Sequence, residues 1–166
     1  MLKQKLASRK PKRHAIIEEI LKGIQLPFSF QVIVVSSRTI SEMLMSARVP
    51  GRGEIIARIF KHLSPVTFSL IQRAVPLSGR LNFYERSFAY VLTNVANGEE
   101  KAKKVFRKGD VAFMPAGSMI CFFLEDTRSY KPMNPLGVVA SGLEVLGASR
   151  RGDCLEIQSI AAAAST

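Results

Sequence analysis

Two stretches of the chain gather the side chains that could do chemistry. Lys101, Lys103, Lys104, Arg107 and Lys108 form a dense basic run, and such a run neutralises phosphates. Tyr84, Tyr90 and Phe106 would supply rings on which bases stack, so the run is a candidate RNA or DNA interface. Glu99-Glu100 directly ahead of it favour the plainer reading, a solvated loop. Glu125 and Asp126 are adjacent carboxylates that could share a proton or hold a cation; a solvated loop explains them as well. His14, His62, Cys121 and Cys154 are scattered, with no CxxC or HExxH spacing. A closed metal site needs several ligands brought together, so neither a metal nor a cofactor is expected. Both cysteines sit in apolar runs and read as buried, inert thiols. No Ser–His–Asp arrangement can be argued.

The chain has 166 residues, 47 % of them hydrophobic and 22 % charged, values that fit one soluble domain with a full core. No apolar run reaches the roughly 18–20 residues of a membrane helix, and no secretory pattern follows Met1. A cytoplasmic protein without membrane contact is expected. The net charge is +11, and the first 29 residues carry seven Lys/Arg, from Lys3 to Lys22, against Glu18 and Glu19. This basic leader reads as partly disordered with weak attraction for polyanions. A solvated leader without a partner fits equally, as does a start at a later methionine, although Met43 and Met45 lie inside the predicted fold.

The elements that must position these residues follow from periodicity. Ile16, Ile17, Ile20, Leu21 and Ile24 predict a short amphipathic helix in the leader. Phe30–Val35 predicts a first strand, Thr39–Met45 its partner, and Pro50–Gly53 a loop. Ile55, Ile56, Ile59, Phe60 and Leu63 share one helical stripe, which predicts a helix over Glu54–Leu63 closed by Pro65. Short apolar runs then alternate with turns. They predict strands at Phe68–Val75, Gly79–Tyr84, Ser87–Val95, Val105–Arg107, Val111–Met114, Met119–Leu124, Leu136–Ala140 and Cys154–Ile160, with one helical turn at Gly142–Leu146. Many short strands with regular turn signals argue a barrel or sandwich. Residues 161–166 read as a frayed tail.

One segment is more specific. In Lys108–Leu124, the residues Gly109, Asp110, Phe113, Pro115, Gly117, Cys121 and Phe123 stand in the order Gly-Asp-apolar-x-aromatic-x-Pro-x-Gly-x-x-apolar-Cys-x-Phe. Thr127, Pro132, Asn134, Pro135 and then Gly142-Leu143-Glu144 follow. This order resembles a small family of bacterial and archaeal cyclophilin-like proteins of unknown function. Met114, Leu124 and Val138-Val139-Ala140 depart from that pattern, and residues 1–29 have no counterpart in it. The resemblance implies a mainly β fold: a closed cyclophilin-like β-barrel over residues 30–160 with one or two short α-helices. The segment itself reads as one β-hairpin, with Val111, Phe113, Ile120 and Phe122 facing a core.

The resemblance also raises peptidyl-prolyl isomerisation. Arg86 is the candidate donor to a substrate amide, with Phe83, Phe88 and Phe113 as pocket walls. The Phe-His-Arg and Gln-Gly-Gly motifs of active isomerases are absent, and the chain has no tryptophan. The leading expectation is therefore a non-catalytic module that binds a peptide or small-molecule ligand at the barrel mouth. Phe83 and Phe113 would wall that site, and Asp110, Pro115, Gly117, Arg128 and Asn134 would rim it. A divergent isomerase centred on Arg86 is the alternative, and a basic RNA-associated protein using Lys101–Lys108 is the third reading.

Overall fold

A computed structural model describes residues 41–160. The predicted leader helix, the strand Phe30–Val35 and the tail lie outside the described residues.

Alternation governs the first two strands. In Glu42–Val49 (β1), Met43, Met45, Ala47 and Val49 are buried. In Gly53–Phe60 (β2), Ile55, Ala57 and Ile59 are buried while Glu54 and Arg58 face out. The two pair antiparallel from Glu42–Phe60 to Val49–Gly53. Gly51, at φ +80°, makes the turn between them possible.

The helix predicted over Glu54–Leu63 is thus a strand. Ile55, Ile56, Ile59 and Phe60 satisfy a helical stripe, but Ile55, Ala57 and Ile59 also satisfy period two. Cross-strand pairing with β1 decides between the periods. The opposite correction applies next. The predicted strand Phe68–Val75 is a helix, Pro65–Ala74 (α1), burying Thr67, Phe68 and Ile71. Pro65 opens this helix, where a missing N–H costs nothing, and does not close the preceding element.

The remaining strands are Leu77–Tyr84 (β3), Phe88–Leu92 (β4), Lys103–Phe106 (β5), Asp110–Met114 (β6), Met119–Phe123 (β7), Thr127–Ser141 (β8) and Cys154–Ile160 (β9). A short helix, Leu143–Ala148 (α2), precedes β9, where one helical turn is predicted. The strands form one antiparallel sheet in the order β2-β1-β9-β3-β4-β7-β6-β8-β5, and β8 also pairs with β2. The protein is mainly β, with two helices among the described residues. None of its described helices is long and apolar enough to cross a membrane.

Strand β8 is much longer than the predicted Leu136–Ala140. Its N-terminal half pairs with β5 and its C-terminal half lies between β6 and β2. Pro132 and Pro135 lack the ladder donor, and register shifts interrupt both the β5 and β6 pairings. Gly137 faces Ile59 of β2 and Val111 of β6 together. A Cβ there would collide with the Arg58 carbonyl oxygen, and one on Gly142 would collide with that of Glu54. Glycine is what lets β8 and the turn after it approach β2.

The hairpin β6–β7 turns through a 3-10 segment, Pro115–Gly117. Val111, Phe113, Ile120 and Phe122 all enter the main core, as their alternation predicts. The intervening residues Ala112, Met114, Cys121 and Phe123 fall on the other face of the sheet. There they build a second core with Phe88, Phe106 and Met133.

Candidate ligand cleft

Strands β3 and β4 meet at a tight turn, with the Ser87 N–H donating to the Tyr84 carbonyl at 3.0 Å. Glu85 occupies this turn at φ +51°, a left-handed conformation rarely held by a residue with a side chain. Next to it, Leu124 closes the end of β7, its N–H bonded to the Ser87 carbonyl at 2.9 Å. The last turn of α2 supplies Gly147, and the chain leaving it supplies Ser149, Arg150 and Arg151. Together with Phe83, Glu85, Arg86 and Glu125, these segments line a cleft of about 520 Å³.

The floor and rim of the cleft differ in chemistry. Phe83 and Leu124 are half-buried and pack on the main core, so the floor is the exposed margin of that core. Arg86, Arg150 and Arg151 are exposed, and among the described residues none has an ion-pair partner. Other arginines are engaged: Arg48 with Glu156 at 2.9 Å, Arg52 with Asp153 at 2.7 Å and Arg58 with Glu42 at 2.7 Å. A second concavity, about 480 Å³, follows the β1–β2 turn at Arg48–Glu54. Its arginines are held by those ion pairs, and its Glu54 accepts from Ser46, which leaves less free polar chemistry there.

Sequence reasoning singled out Arg86 and Phe83, and the fold brings both to the cleft. Glu125, read from sequence as half of a carboxylate pair, also stands on this rim; the other residues predicted to line the ligand site lie elsewhere. Phe113 and Phe88 are buried on opposite faces of the sheet. Asp110 accepts from the Arg107 N–H at 2.9 Å and borders a separate cavity of about 110 Å³. Pro115 and Gly117 form the β6–β7 turn, and Arg128 sits on β8 opposite Val105.

Asn134 is fully buried, and its amide is satisfied within the protein. It donates to Thr67 Oγ1 at 3.1 Å and the Gly98 carbonyl at 2.9 Å, and accepts from the Glu100 N–H at 2.7 Å. Glu100 in turn accepts from the N–H groups of Val66 and Thr67, at the start of α1. Burial pushes the Glu100 carboxyl pKa up, but these donors and the Thr67 hydroxyl outweigh it and hold the group below its ordinary value.

The basic run is not uniform. Lys101 donates to the His62 carbonyl at 2.7 Å, and Lys103 lies over the Phe106 ring at 4.9 Å. Lys104, Arg107 and Lys108 project from the surface. Asp126 accepts from the Lys108 N–H at 2.8 Å and so locks a loop. Phe106, expected as a stacking surface, is buried. Cys121 is buried as expected, while Cys154 is half-exposed. Burial raises the Cys121 thiol pKa strongly.

Sequence reasoning missed Arg150 and Arg151. Ser-Arg-Arg-Gly-Asp reads only as a turn, and nothing local points it toward Phe83. Leu124 was visible as the last residue of a strand, with no sign that it floors a cleft.

Residues 45–158 match the family described as cyclophilin-like. The chain belongs to the cyclophilin-like family. Two solved structures are similar to this chain in fold. The hypothetical protein AF2241 from Archaeoglobus fulgidus is 24 % identical with a TM-score of 0.65, over 75 % of this chain and 99 % of that one. McbB, solved in complex with tryptophan, is 14 % identical with a TM-score of 0.60, over 74 % of this chain. The match spans 46 % of McbB, less than half its length. At these identities the likeness concerns fold, and function must be argued from the site. No curated protein matches the sequence.

Proposed function

We propose that this cyclophilin-like protein is a non-catalytic binding module whose cleft takes a small ligand or peptide with an apolar body and an anionic group. The observation that carries this reading is the placement of Arg86, Arg150 and Arg151, unpaired among the described residues, around Phe83 and Leu124. A guanidinium grips a carboxylate or phosphate through two parallel N–H bonds, and the floor would bury the apolar part, at about 25 cal/mol per Å² removed from water. Glu85 and Glu125, on the same rim, suit a ligand that also bears an ammonium group. Tryptophan combines all three features, and McbB is solved in complex with it, which makes it the first probe to try.

We also infer that the sheet closes on itself as a barrel. The support is Gly137, paired on one side to β6 and on the other to β2. Closure would hold the cleft at one rigid end. Hydrogen exchange that is slow in β2 and β8 alike is expected; fast exchange confined to that seam would mean an open sheet.

The test of binding is an NMR titration of the full isotope-labelled chain with tryptophan and with a proline-containing peptide. Amide shifts at Arg86, Leu124 and Gly147 are expected, and their loss in the Arg150→Ala/Arg151→Ala variant. Spectra unmoved by both probes sink the reading.

A second reading rests on Arg86 lying beside Phe83 and Leu124. An arginine donor next to a proline-sized apolar surface is what isomerisation across a barrier of about 18–20 kcal/mol requires. Exchange between cis and trans peptide signals, abolished by Arg86→Ala, would establish catalysis and displace the non-catalytic reading. Unchanged exchange would remove the isomerase reading for that peptide.

A further inference from the structure

On the face of the sheet opposite the main core, five rings run in one continuous series. Phe106 stacks on Phe123 with centroids 4.6 Å apart, and Phe123 meets Phe88 at 5.3 Å. Phe88 stacks on Tyr84 at 5.2 Å, and Tyr84 on Tyr130 at 4.9 Å. The first three rings are buried, whereas Tyr84 is 38 % and Tyr130 49 % exposed. Lys103 covers the buried end over Phe106; the other end opens to solvent. Tyr130 is further fixed by its hydroxyl, 3.8 Å from the Met114 sulfur.

Packing of the buried rings accounts for stability. It does not account for carrying the series outward into two exposed tyrosines. Arg128 and Lys131 flank Tyr130 along β8, and β8 pairs with the basic strand β5, which carries Lys103 and Lys104. Arg107 and Lys108 continue the run; the acids are Glu85, next to Tyr84, and Glu125 and Asp126, ahead of β8. Each base of a single strand offers a π-face to stack on and a phosphate to neutralise, and a duplex hides the former. Rigid exposed rings flanked by cations match that chemistry.

We propose that the Tyr84–Tyr130 end of this series, with Arg128 and Lys131 on either side of Tyr130 along β8, is a stacking platform for single-stranded nucleic acid. Its side chains differ from those lining the cleft, although Tyr84 directly follows Phe83 on β3, and stacking on them does not require the cleft's ligand.

The experiment is fluorescence anisotropy of a short labelled oligouridylate titrated with the full chain. Tyr84→Ala and Tyr130→Ala are each expected to weaken binding about tenfold, the scale of one lost base stack. Tyr130→Phe, which keeps the ring, should bind within about twofold of the parent. An Arg128→Gln/Lys131→Gln variant should flatten the salt dependence. Attraction by the basic leader is common to every variant, so the ratios isolate the platform. The proposal is overturned if the Tyr→Ala variants bind like the parent, or if duplex RNA of equal length competes as well as the single strand. It is also overturned if an acidic tyrosine-rich peptide binds there and the oligouridylate does not. Should Tyr84→Ala fail to fold, the pair Tyr130→Ala and Tyr130→Phe decides alone.

Discussion

Glu100 holds Thr67 at two points: its carboxylate accepts from the Thr67 N–H at 2.9 Å and from the Thr67 hydroxyl at 2.8 Å. The same carboxylate takes the Val66 N–H at 2.8 Å. Ser64, in the N-cap position, makes no capping bond of its own and donates instead to the Pro135 carbonyl. A residue in the loop between β4 and β5 thus caps α1, and Asn134 and Asn97 complete the Thr67 oxygen's bonding from β8 and that same loop.

Removing this charge has a predictable cost. Glu100→Gln keeps the shape but loses charge-assisted acceptance, and should destabilise the fold by about 1–3 kcal/mol at neutral pH. The pKa of Glu100 is lowered in the folded state. Its contribution is therefore present above the ordinary carboxylate range and lost as pH falls through the folded value. Denaturant unfolding at neutral and acid pH should show the parent and variant curves converging on acidification. A gap that stays constant would contradict the assignment.

Glycines at the seam between β8 and β2 should tolerate no side chain. Gly137→Ala and Gly142→Ala each drive a methyl into a backbone carbonyl of β2, where relief requires moving a strand. A loss of about 3 kcal/mol or more is expected for each, in the upper tail for single substitutions. Gly147→Ala is the control: its Cβ would meet nothing within 4 Å. It lies in α2, and alanine should add about 0.5–1 kcal/mol. Thermal unfolding of the three variants separates the cases.

The arginines of the cleft should matter little to stability. Without ion pairs among the described residues, Arg150→Ala and Arg151→Ala should shift unfolding by no more than about 0.5 kcal/mol. Glu85→Gly should stabilise by up to about 1 kcal/mol, because glycine accepts the positive φ of that turn without steric cost. A marked destabilisation by any of the three would reveal a structural role for that side chain.

Cysteine labelling should follow burial. Cys154 is half-exposed and should react with a thiol reagent in the folded protein. Cys121, buried with its thiol pKa raised, should react only as the protein unfolds. Equal native-state rates would mean that the outer core opens readily.

Local patterns resolved some elements and not others. The β6–β7 hairpin was legible because Gly109-Asp110, Pro115 and Gly117 bracket two strictly alternating runs. The interval from Glu54 to Val75 was exchanged, strand for helix and helix for strand. The isoleucines of β2 fit both periods, and a proline can end one element or begin another. What decides is remote: β1 pairing on one side, and a helix cap 33 residues away on the other. The cleft was half legible. Arg86 and Phe83 sit in one aromatic-rich stretch, whereas Arg150 and Arg151 reach it only through the turn after α2. Tyr130 was hidden because its partner Tyr84 lies far along the chain.

Strands β4, β6 and β7 bury apolar side chains on both faces, and this changes what keeps them aligned. In a sheet with one wet side, a one-residue slip exposes oily groups and is punished at once. Here a slip would trade one dry face for another, so polarity cannot proofread the alignment. Size must do so. Ala112 and Cys121 lie on the outer face where Phe113 and Phe122 lie on the inner, and a displaced strand would press a ring into a space sized for a methyl group or a thiol. Fidelity of alignment in these three strands is thus written in volumes, and enlarging Ala112 should blur it before it weakens any single contact.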